Sequence, residues 1–411
     1  MSQFRNWENL KLAAQCVMPR LNTEDYFSDS SYRFRIEELV RIGIGGFCVF
    51  GGDTENVPKM IEKLQSLAET PLIFSSDFEH GLQMRLTEGT SFPHAMALGK
   101  TNNAENSLYV GKAIAKEAKS IGINWNFAPV CDINNNPKNP IINIRSFGEN
   151  AKIVSEFAIN YIKGSQSENL ASCAKHFPGH GDTETDSHVN LPFLDKTLDD
   201  LKRNELIPFI SALGNDVWSV MVGHLAVKAF DNEKIPASLS KNVINYLRNE
   251  LNFNGIILTD ALDMNAVINY TDKNIAPLTA LLSGNDIALL PAEPVEAIKK
   301  ITEELDKNES FRNQIEKSVQ RIYNLKRKVG LIPQFAKSNN SNQVFNEHLK
   351  KALKLGYEAL IINGNRELIP LNEKSSFAGF AVLQTDKDLQ SANRFFTMLA
   401  QATENDCDFG F

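Results

Sequence analysis

The sequence predicts an α/β protein: a (β/α)₈ barrel of the TIM type over residues 1–335, followed by a short α/β segment over 336–411. Three observations predict this class. Short apolar runs alternate with longer amphipathic segments, which is the pattern of βαβ units and a parallel sheet. Eight such runs occur within about 290 residues, a size that suits a barrel. Ionisable residues stand where several of these runs end.

The predicted strands are nearly continuous in apolar residues, as expected for strands covered on both faces. They are AAQCVMPR (13–20), GIGGFCVFG (43–51), PLIFSSDFE (71–79), INWNFAPVCDI (123–133), ASCAKHFPG (171–179), VWSVMVGHL (217–225), GIILTDALDM (255–264) and DIALLP (286–291). An open doubly wound sheet is the alternative, but its nucleotide-binding turn requires GxGxxG leading into a helix. The candidate turn, GIGGFCVFGG, lacks that spacing, so the barrel is favoured.

Helices are predicted between the strands, in segments where apolar residues recur with a helical period. They are VPKMIEKLQSLAE, SLYVGKAIAKEAKSIG, NAKIVSEFAINYIKGSQ, LDDLKRNELIPFISAL and SKNVINYLRNELN. More helix follows residue 292, and the Pro, Asn and Ser of LIPQFAKSNNSNQ then predict a boundary near 335–343. The tail begins as a helix followed by a strand. It is too short for an α/β domain with its own core, so it either packs on the barrel or opens a second domain.

Composition argues against several classes of protein. The chain has 43 Lys and Arg against 50 Asp and Glu, a net charge of −7, which argues against a nucleic-acid partner because phosphate binding requires a basic patch. No segment is apolar enough to span a membrane, and the polar start MSQFRNWENLKLAAQ does not look like a secretion signal. The five scattered cysteines, mostly in apolar surroundings, indicate reduced thiols and favour the cytoplasm.

Ionisable residues end five of the eight predicted strands: Asp77, Asp132, His176, His224 and Asp260. In a barrel, the carboxyl ends of the strands meet at one face, and active sites form there. Strands can also end in polar residues simply because the following loops are hydrated. That explanation accounts for one or two such endings more easily than for five, so the pattern favours a catalytic rim. Asp132 and His224 remain equally compatible with a structural role.

The densest group of ionisable residues is KHFPGHGDTETDSH, from Lys175 to His188, which holds three of the seven histidines. Proline and glycine break this segment, so no helical face presents the histidines together as a zinc motif such as HExxH would. A Ser–His–Asp hydrolase is also disfavoured, because the chain has no GxSxG turn and Ser187 lies between Asp186 and His188. We therefore expect no metal and no cofactor, and a structural role for His180.

Acid–base catalysis fits this segment better. Across Ser187, the Asp186 carboxylate can orient the His188 imidazole and stabilise its protonated form, which makes a proton shuttle near neutral pH. A carboxylate nucleophile with a separate acid/base is the chemistry of retaining glycoside hydrolysis. Asp260, at the end of the seventh run, is the candidate nucleophile, although spacing alone also allows Asp263.

These motifs resemble glycoside hydrolase family 3, and in particular its bacterial β-N-acetylhexosaminidase branch, which acts on N-acetylglucosamine in cell-wall fragments. The resemblance covers 1–335 and rests on KHFPGHG with DSH and on ILTDALDM, with weaker support from DFEHGLQMRL, NWNFAPVCDIN, NPIINIRSFGE, VMVGHLAV and IPASLS. The family usually reads Asp-x-Glu-Gly-Gly-Arg where this chain has His80 for a glycine and Leu82 for the arginine. We therefore expect this departure to affect substrate range more than reaction type.

The resemblance implies a retaining exo-β-N-acetylglucosaminidase whose partner is a small carbohydrate. By this resemblance, Asp260 forms the glycosyl-enzyme, and His188, oriented by Asp186, protonates the leaving oxygen and later activates water. Sugar hydroxyls would be held by five further residues: Asp77, Arg85, Arg145, Lys175 and His176.

Other functions remain open. A β-glucosidase, a β-xylosidase or a phosphorylase could use the same pocket, and a histidine acid/base leaves room for phosphate because no fixed carboxylate would repel it. A sugar-binding protein without catalysis is a third possibility, although the presence of Asp260 and of the Asp186–His188 dyad counts against it. Arg145 could also do no more than pair with Glu149. The sequence leaves the oligomeric state open.

Overall fold

The computed structural model describes residues 4–184, 191–332 and 342–360. The strands are short and mostly buried, as their apolar sequences predict. They are β1 (Val17–Met18), β2 (Arg20–Asn22), β3 (Gly46–Phe50), β4 (Ile73–Ser76), β5 (Trp125–Asn126), β6 (Ala171–Phe177), β7 (Phe193–Leu194), β8 (Ser219–Val222), β9 (Ala226–Val227), β10 (Ile256–Thr259) and β11 (Ala288–Leu289).

The main sheet is parallel and curled. Its strand order is β10-β8-β6-β5-β4-β3-β2, and β1 pairs separately with β11, also in parallel. Only Pro19 separates β1 from β2, and a parallel bridge joins Leu258, on β10, to Ile287, next to β11. Each of the eight predicted runs contains a strand of these sheets. The predicted α/β class and the parallel sheet are therefore confirmed.

Helices connect successive strands and cover the outside of the sheet. They are α1 (Asn9–Gln15), α2 (Thr23–Ser28), α3 (Ser30–Ile42), α4 (Asn56–Leu67), α5 (Ala95–Lys100), α6 (Glu105–Ser120), α7 (Ala151–Ser167), α8 (Leu198–Arg203), α9 (Leu206–Gly214), α10 (Lys241–Asn245), α11 (Asn265–Ile268), α12 (Ala276–Leu282), α13 (Pro294–Lys307), α14 (Glu309–Lys328) and α15 (Asn342–Glu358). Short 3₁₀ turns occur at Leu82–Met84, Asn143–Arg145 and Ala237–Leu239, and a π turn at Tyr246–Glu250. Among the described residues, no helix could cross a membrane.

One predicted helix is in fact two. LDDLKRNELIPFISAL forms α8 and α9, which are separated at Asn204 and Glu205. The break follows from Pro208, because proline has no N–H to donate to the Asn204 carbonyl and its ring would clash with that carbonyl in a continuous helix. A capping box starts α8, since the Thr197 hydroxyl accepts from the Asp200 N–H and the Asp200 carboxylate accepts from the Thr197 N–H.

Two glycines allow α6 and α7 to pack with their backbones in close approach. A Cβ atom on Gly111 would lie 2.3 Å from the Tyr161 carbonyl oxygen, and one on Gly164 would lie 2.0 Å from that of Leu108. Any larger side chain at either position would push the helices apart. This packing matters for the site, because α6 lies beneath the loop that follows β4 and α7 leads into β6.

The predicted domain boundary near 335–343 falls mainly on residues outside the described part of the chain. It stays a prediction. Beyond it, the predicted helix of the tail is present as α15, and residues 1–359 form one compact unit. The strands predicted further along the tail lie outside the described residues.

Candidate active site

The strand-end residues lie at the carboxyl ends of the sheet. Asp77 directly follows β4, Asp260 directly follows β10, and His176 is the last residue but one of β6. His224 stands two residues after β8, and Asp132 follows a parallel bridge between Val130 and Lys175. The sheet therefore gathers the ionisable residues at one face, as the pattern of the sequence predicts.

Lys175 is at the centre of the site. Its Nζ donates to Asp77 Oδ1 and to Glu79 Oε1, each at 2.8 Å, although the residue is only 2% exposed. Burial disfavours its charge, but Asp77 and Glu79 raise the pKa of Lys175 above the ordinary lysine value. The ammonium group is therefore a fixed positive charge at the bottom of the site.

Two arginines complete this charged network. Arg145, at the end of a 3₁₀ turn, donates to Glu79 through Nε at 3.0 Å and Nη2 at 2.7 Å, a bidentate pair. Arg85 donates to Asp77 Oδ2 at 2.9 Å. Burial favours the neutral carboxylic acids, but Lys175 and Arg85 lower the pKa of Asp77 to about 2, and Arg145 and Lys175 hold that of Glu79 well below its usual range.

Asp132 anchors two histidines. It is fully buried and accepts the backbone N–H of His176 and that of His180, the latter at 2.7 Å. Its Oδ2 also lies 2.7 Å from His176 Nδ1, so this nitrogen carries the hydrogen of the imidazole. His176 Nε2 then faces Arg145 Nη2 at 3.4 Å, on the side of the charged network. Burial favours the neutral form of Asp132, but His176 lowers its pKa below the ordinary value.

The backbone N–H of His180 holds this residue next to Asp132. Its Nδ1 lies 2.8 Å from the Thr183 hydroxyl, and the Asn139 side chain donates to the His180 carbonyl at 2.8 Å. Burial lowers the pKa of His180 to about 4, so the ring is neutral at ordinary pH. These contacts agree with the structural role predicted for His180.

Asp260 is held by its backbone and by its neighbours. Its N–H donates to the Val222 carbonyl at 2.9 Å, and the Ala261 N–H donates to its Oδ1 at 2.8 Å. Burial favours the neutral acid, but His176 and His224, with the Ala261 N–H, lower the pKa of Asp260 below its ordinary value. The side chain is therefore ionised at neutral pH, as a carboxylate nucleophile must be.

His224 fixes the turn that follows Asp260. Its Nε2 lies 2.8 Å from the Ala261 carbonyl, an acceptor, so Nε2 carries the hydrogen. Its Nδ1 then accepts from the Ser238 hydroxyl at 2.7 Å, and burial lowers the pKa of His224. The sequence is equally compatible with a structural role for this residue. Its contacts make it a support for the Asp260 turn.

Asp263, the alternative nucleophile, lies elsewhere. It pairs with Arg20 at 3.0 Å, and about a third of its side chain is exposed. The Arg20 guanidinium also lies over the Phe50 ring, 4.1 Å from its centre. Asp263 thus takes part in an ion pair at the rim, whereas Asp260 directly follows β10, beside the charged network.

The five predicted sugar-binding residues are brought together in one hydrogen-bonded network beside Asp260: Asp77, Arg85, Arg145, Lys175 and His176. Arg145 pairs with Glu79, so the idea that it does no more than pair with Glu149 is wrong. The predicted acid/base dyad, Asp186 and His188, lies outside the described residues.

Sequence reasoning missed Glu79 as a site residue. It was read only as part of the motif DFEHGL, yet it connects Lys175 to Arg145. The available signal was its spacing, because Glu79 stands two residues after Asp77 at the end of an apolar strand. His80, one of the two departures from the family motif, packs against His94 with ring centres 4.3 Å apart and planes tilted by 48°. Among the described residues, no group of His, Cys, Asp or Glu is arranged to hold a metal ion.

Comparison with known proteins extends these observations. The sequence model of the glycosyl hydrolase family 3 N-terminal domain matches residues 31–325. β-Hexosaminidase A of Pseudoalteromonas piscicida is 32% identical over 378 residues, 83% of this chain and 63% of that protein. A β-N-acetylglucosaminidase/β-glucosidase of Cellulomonas fimi is 28% identical, over 74% of this chain and 56% of that protein. The chain therefore spans less than two thirds of the length of either relative.

A solved structure agrees in fold. The glycoside hydrolase family 3 β-N-acetylglucosaminidase from Paenibacillus sp. str. FPU-7 superposes with a TM-score of 0.80 at 32% identity, over 87% of this chain and 70% of that one. The family model matches most of the chain, from α3 to the last turns of α14, and includes every residue of the charged network. This chain belongs to glycosyl hydrolase family 3.

Proposed function

We propose that the protein is a retaining exo-β-N-acetylglucosaminidase that removes terminal N-acetylglucosamine from cell-wall fragments or chitooligosaccharides. One observation carries the proposal: an ionised carboxylate, Asp260, stands at the end of β10 beside a buried network of fixed charges. A carboxylate nucleophile next to groups that orient a polyol is what retaining glycoside hydrolysis requires.

The reaction has two steps. Asp260 attacks the anomeric carbon and forms an ester with the sugar, while the bond to the leaving oxygen breaks and that oxygen takes a proton. Water then attacks the same carbon, loses a proton and releases the sugar with its original configuration. The proton donor and acceptor would be His188, oriented by Asp186. The role of this dyad rests on the sequence alone.

The charged network supports sugar binding. Lys175, Arg85 and Arg145 are cations held in place by the carboxylates of Asp77 and Glu79. Groups fixed in this way can make several charge-assisted hydrogen bonds to sugar hydroxyls without being ordered first. The substrate would therefore be oriented with its anomeric carbon toward Asp260.

The names of relatives favour the N-acetyl sugar. The Pseudoalteromonas protein is named a β-hexosaminidase, and the Paenibacillus structure is that of a β-N-acetylglucosaminidase. The Cellulomonas relative is named both a β-N-acetylglucosaminidase and a β-glucosidase, which makes β-glucosidase activity the second candidate. The histidine acid/base predicted from the sequence favours the first.

The proposal also covers the closure of the barrel and the cellular compartment. We infer that the strands close into the predicted eight-stranded barrel, and the β1–β11 pairing and the Leu258–Ile287 bridge support this closure. We also propose the cytoplasm as the setting. The four described cysteines support it, because all of them are buried and free: Cys16, Cys48, Cys131 and Cys173.

The test is hydrolysis of an aryl β-N-acetylglucosaminide compared with the matching aryl β-glucoside, with and without phosphate, for the wild type and Asp260→Asn. We expect preference for the N-acetyl sugar, no dependence on phosphate, and loss of both activities in the variant. Faster turnover of the glucoside would favour the second candidate, and stimulation by phosphate would favour a phosphorylase. Binding without turnover would indicate a sugar-binding protein.

A further inference from the structure

The loop that carries Arg85 closes on itself. At its neck, the Phe92 N–H donates to the His80 carbonyl at 2.7 Å, and Gly81 forms an antiparallel bridge with Ser91. Residues 81–91 therefore leave β4 and return to nearly the same point. Arg85 lies within this loop and contacts the site through Asp77.

A buried carboxylate holds the returning side of the neck. Glu117, on α6, is 1% exposed, and its Oε2 accepts the Thr90 N–H at 3.0 Å while its Oε1 accepts the Thr90 hydroxyl at 2.5 Å. Both hydrogen-bonding groups of Thr90 are thus directed at one side chain. A buried carboxylate is stable only when donors or positive charge compensate it, so Thr90 alone is a poor complement.

A histidine from a distant part of the chain supplies the remaining donor. His348, on α15, is 6% exposed and lies with Nδ1 2.6 Å from Glu117 Oε1. Its ring also packs beside those of Phe92, at 6.3 Å, and Tyr109, at 6.1 Å between ring centres. His348 is 231 residues from Glu117 in sequence, so this contact exists only because α15 packs on α6.

We propose that Glu117 and His348 are positioning residues for substrate binding. His348 compensates the Glu117 carboxylate, Glu117 fixes Thr90, and Thr90 fixes the neck of the loop that presents Arg85, the partner of Asp77, to the sugar. Through His348 alone, the helix α15, which follows the predicted domain boundary, thereby contributes to substrate binding. This inference rests on the proposed function for the identity of the sugar. The series of contacts from His348 through Glu117 to Thr90 does not depend on it.

The test compares His348→Leu with His348→Asn, whose amide nitrogen lies where Nδ1 does and can still donate to Glu117. For the aryl N-acetylglucosaminide, we expect His348→Leu to raise KM by about tenfold with kcat changed less than about twofold, because uniform binding is lost. His348→Asn should keep KM within about threefold of wild type. Lys354→Ala, in an exposed pair with Glu358 on the same helix, is the matched control and should change neither constant.

A double-mutant cycle separates positioning from general destabilisation. If His348 acts through Arg85, His348→Leu should cost little once Arg85 is replaced by alanine, so the effects of the two changes on kcat/KM are less than additive. Additive effects on kcat/KM would overturn the proposal. So would a fall in kcat by the same factor as the fall in kcat/KM.

Hydrogen exchange provides a readout that does not depend on turnover. Amides of 81–92 should exchange faster in His348→Leu than in the wild type and in His348→Asn, while those of β6 and β8 should not change. Unchanged exchange over 81–92 would refute the positioning role even if the enzyme acted on another glycoside. Failure of the wild type to hydrolyse any N-acetylglucosaminide would instead refute the proposed function.

Discussion

Lys175 and Lys326 are both buried, but they lie at opposite ends of the sheet. Lys175 is on β6 at the carboxyl end and faces two carboxylates, those of Asp77 and Glu79. Lys326 is on α14 at the amino end, fully buried, and donates to the amide oxygen of Gln15 at 2.9 Å. The same residue type is thus placed in two very different electrostatic environments.

The pKa values of the two lysines move in opposite directions. Burial disfavours charge in both, but the carboxylates raise the pKa of Lys175, whereas burial alone lowers that of Lys326 to about 7. A buried charge without a countercharge costs stability, because its hydration is lost and little replaces it. The comparison teaches that burial alone does not decide whether a lysine keeps its charge, because fixed countercharges reverse the direction of the pKa shift.

A paired buried charge is not sufficient either. Asp286, near the amino end, accepts Arg248 and the Ile257 N–H on Oδ2 and Arg321 and Ser318 on Oδ1. Its oxygens are saturated by protein donors and have no capacity left for a ligand. Among the described residues, Asp260 receives a donor from Ala261 on Oδ1, so its carboxylate is less constrained. The Asp260 carboxylate therefore keeps hydrogen-bonding capacity that Asp286 lacks.

The largest expected effect is the loss of the nucleophile. Asp260→Asn should lower kcat by about 10⁴-fold, because the amide cannot form the glycosyl ester. Asp263→Asn is the matched control, three residues away in an ion pair at the rim, and should stay within about threefold of wild type. Steady-state kinetics of both variants measure this. Equal losses in the two variants would show that the reaction does not depend on Asp260 in particular.

Removing the charge at the centre of the site should have the next largest effect. Lys175→Met leaves the Asp77 and Glu79 carboxylates buried with one fewer cation, so we expect a loss of about 3–5 kcal/mol in the free energy of unfolding. We also expect kcat/KM to fall by about 10³-fold, because sugar binding loses its central donor. Denaturant unfolding and kinetics provide the two numbers. A variant with wild-type kcat/KM would contradict the assignment of the site.

The same substitution at the other end should have the opposite effect on stability. Lys326→Met should raise the free energy of unfolding by about 1–4 kcal/mol at neutral pH and leave kcat/KM unchanged. The folded pKa of about 7 lies below the unfolded value of roughly 10.4, so the unfolded state binds more protons between these values.

Wild-type stability attributable to Lys326 should therefore rise as pH rises from 7 toward 10, by at most about 1.4 kcal/mol per pH unit. Denaturant unfolding from pH 6 to 10 would check this, with Lys326→Met losing that slope. A variant less stable than wild type at pH 7 would indicate that the lysine is compensated after all.

The smallest expected effect is at acid pH. Lys175 and Arg85 lower the pKa of Asp77 to about 2 despite its burial, so its contribution to stability is present above pH 4 and lost as pH falls toward 2. The difference in unfolding free energy between the wild type and Asp77→Asn should therefore shrink by about 2 kcal/mol over this window. A difference that does not depend on pH would exclude the ion pairs as its source.

The sequence predicted the strands better than it predicted which residues of the site contact one another. Parallel strands are apolar throughout, so all eight runs were visible, and each ends near the carboxyl face. The break between α8 and α9 was missed because the apolar period continues across Asn204, although Pro208 prevents one continuous helix.

Contacts between residues that are far apart in the chain leave no local pattern in the sequence. Arg145 pairs with Glu79 across 66 residues, and His348 pairs with Glu117 across 231. Such pairs depend on how helices and loops pack around the sheet. The strand ends therefore predict Asp77, His176 and Asp260 as site residues, but they could not reveal which carboxylate holds which cation.

The most direct test of the account is to trap the sugar on the protein. The enzyme would be mixed with a reactive aryl β-N-acetylglucosaminide, quenched in acid during turnover, digested with pepsin and analysed by mass spectrometry. We expect one N-acetylglucosaminyl group on the peptide that contains Asp260, and none in Asp260→Asn. An adduct on a different residue, or turnover without any adduct under conditions where its hydrolysis is rate-limiting, would contradict the assignment of Asp260 as the nucleophile.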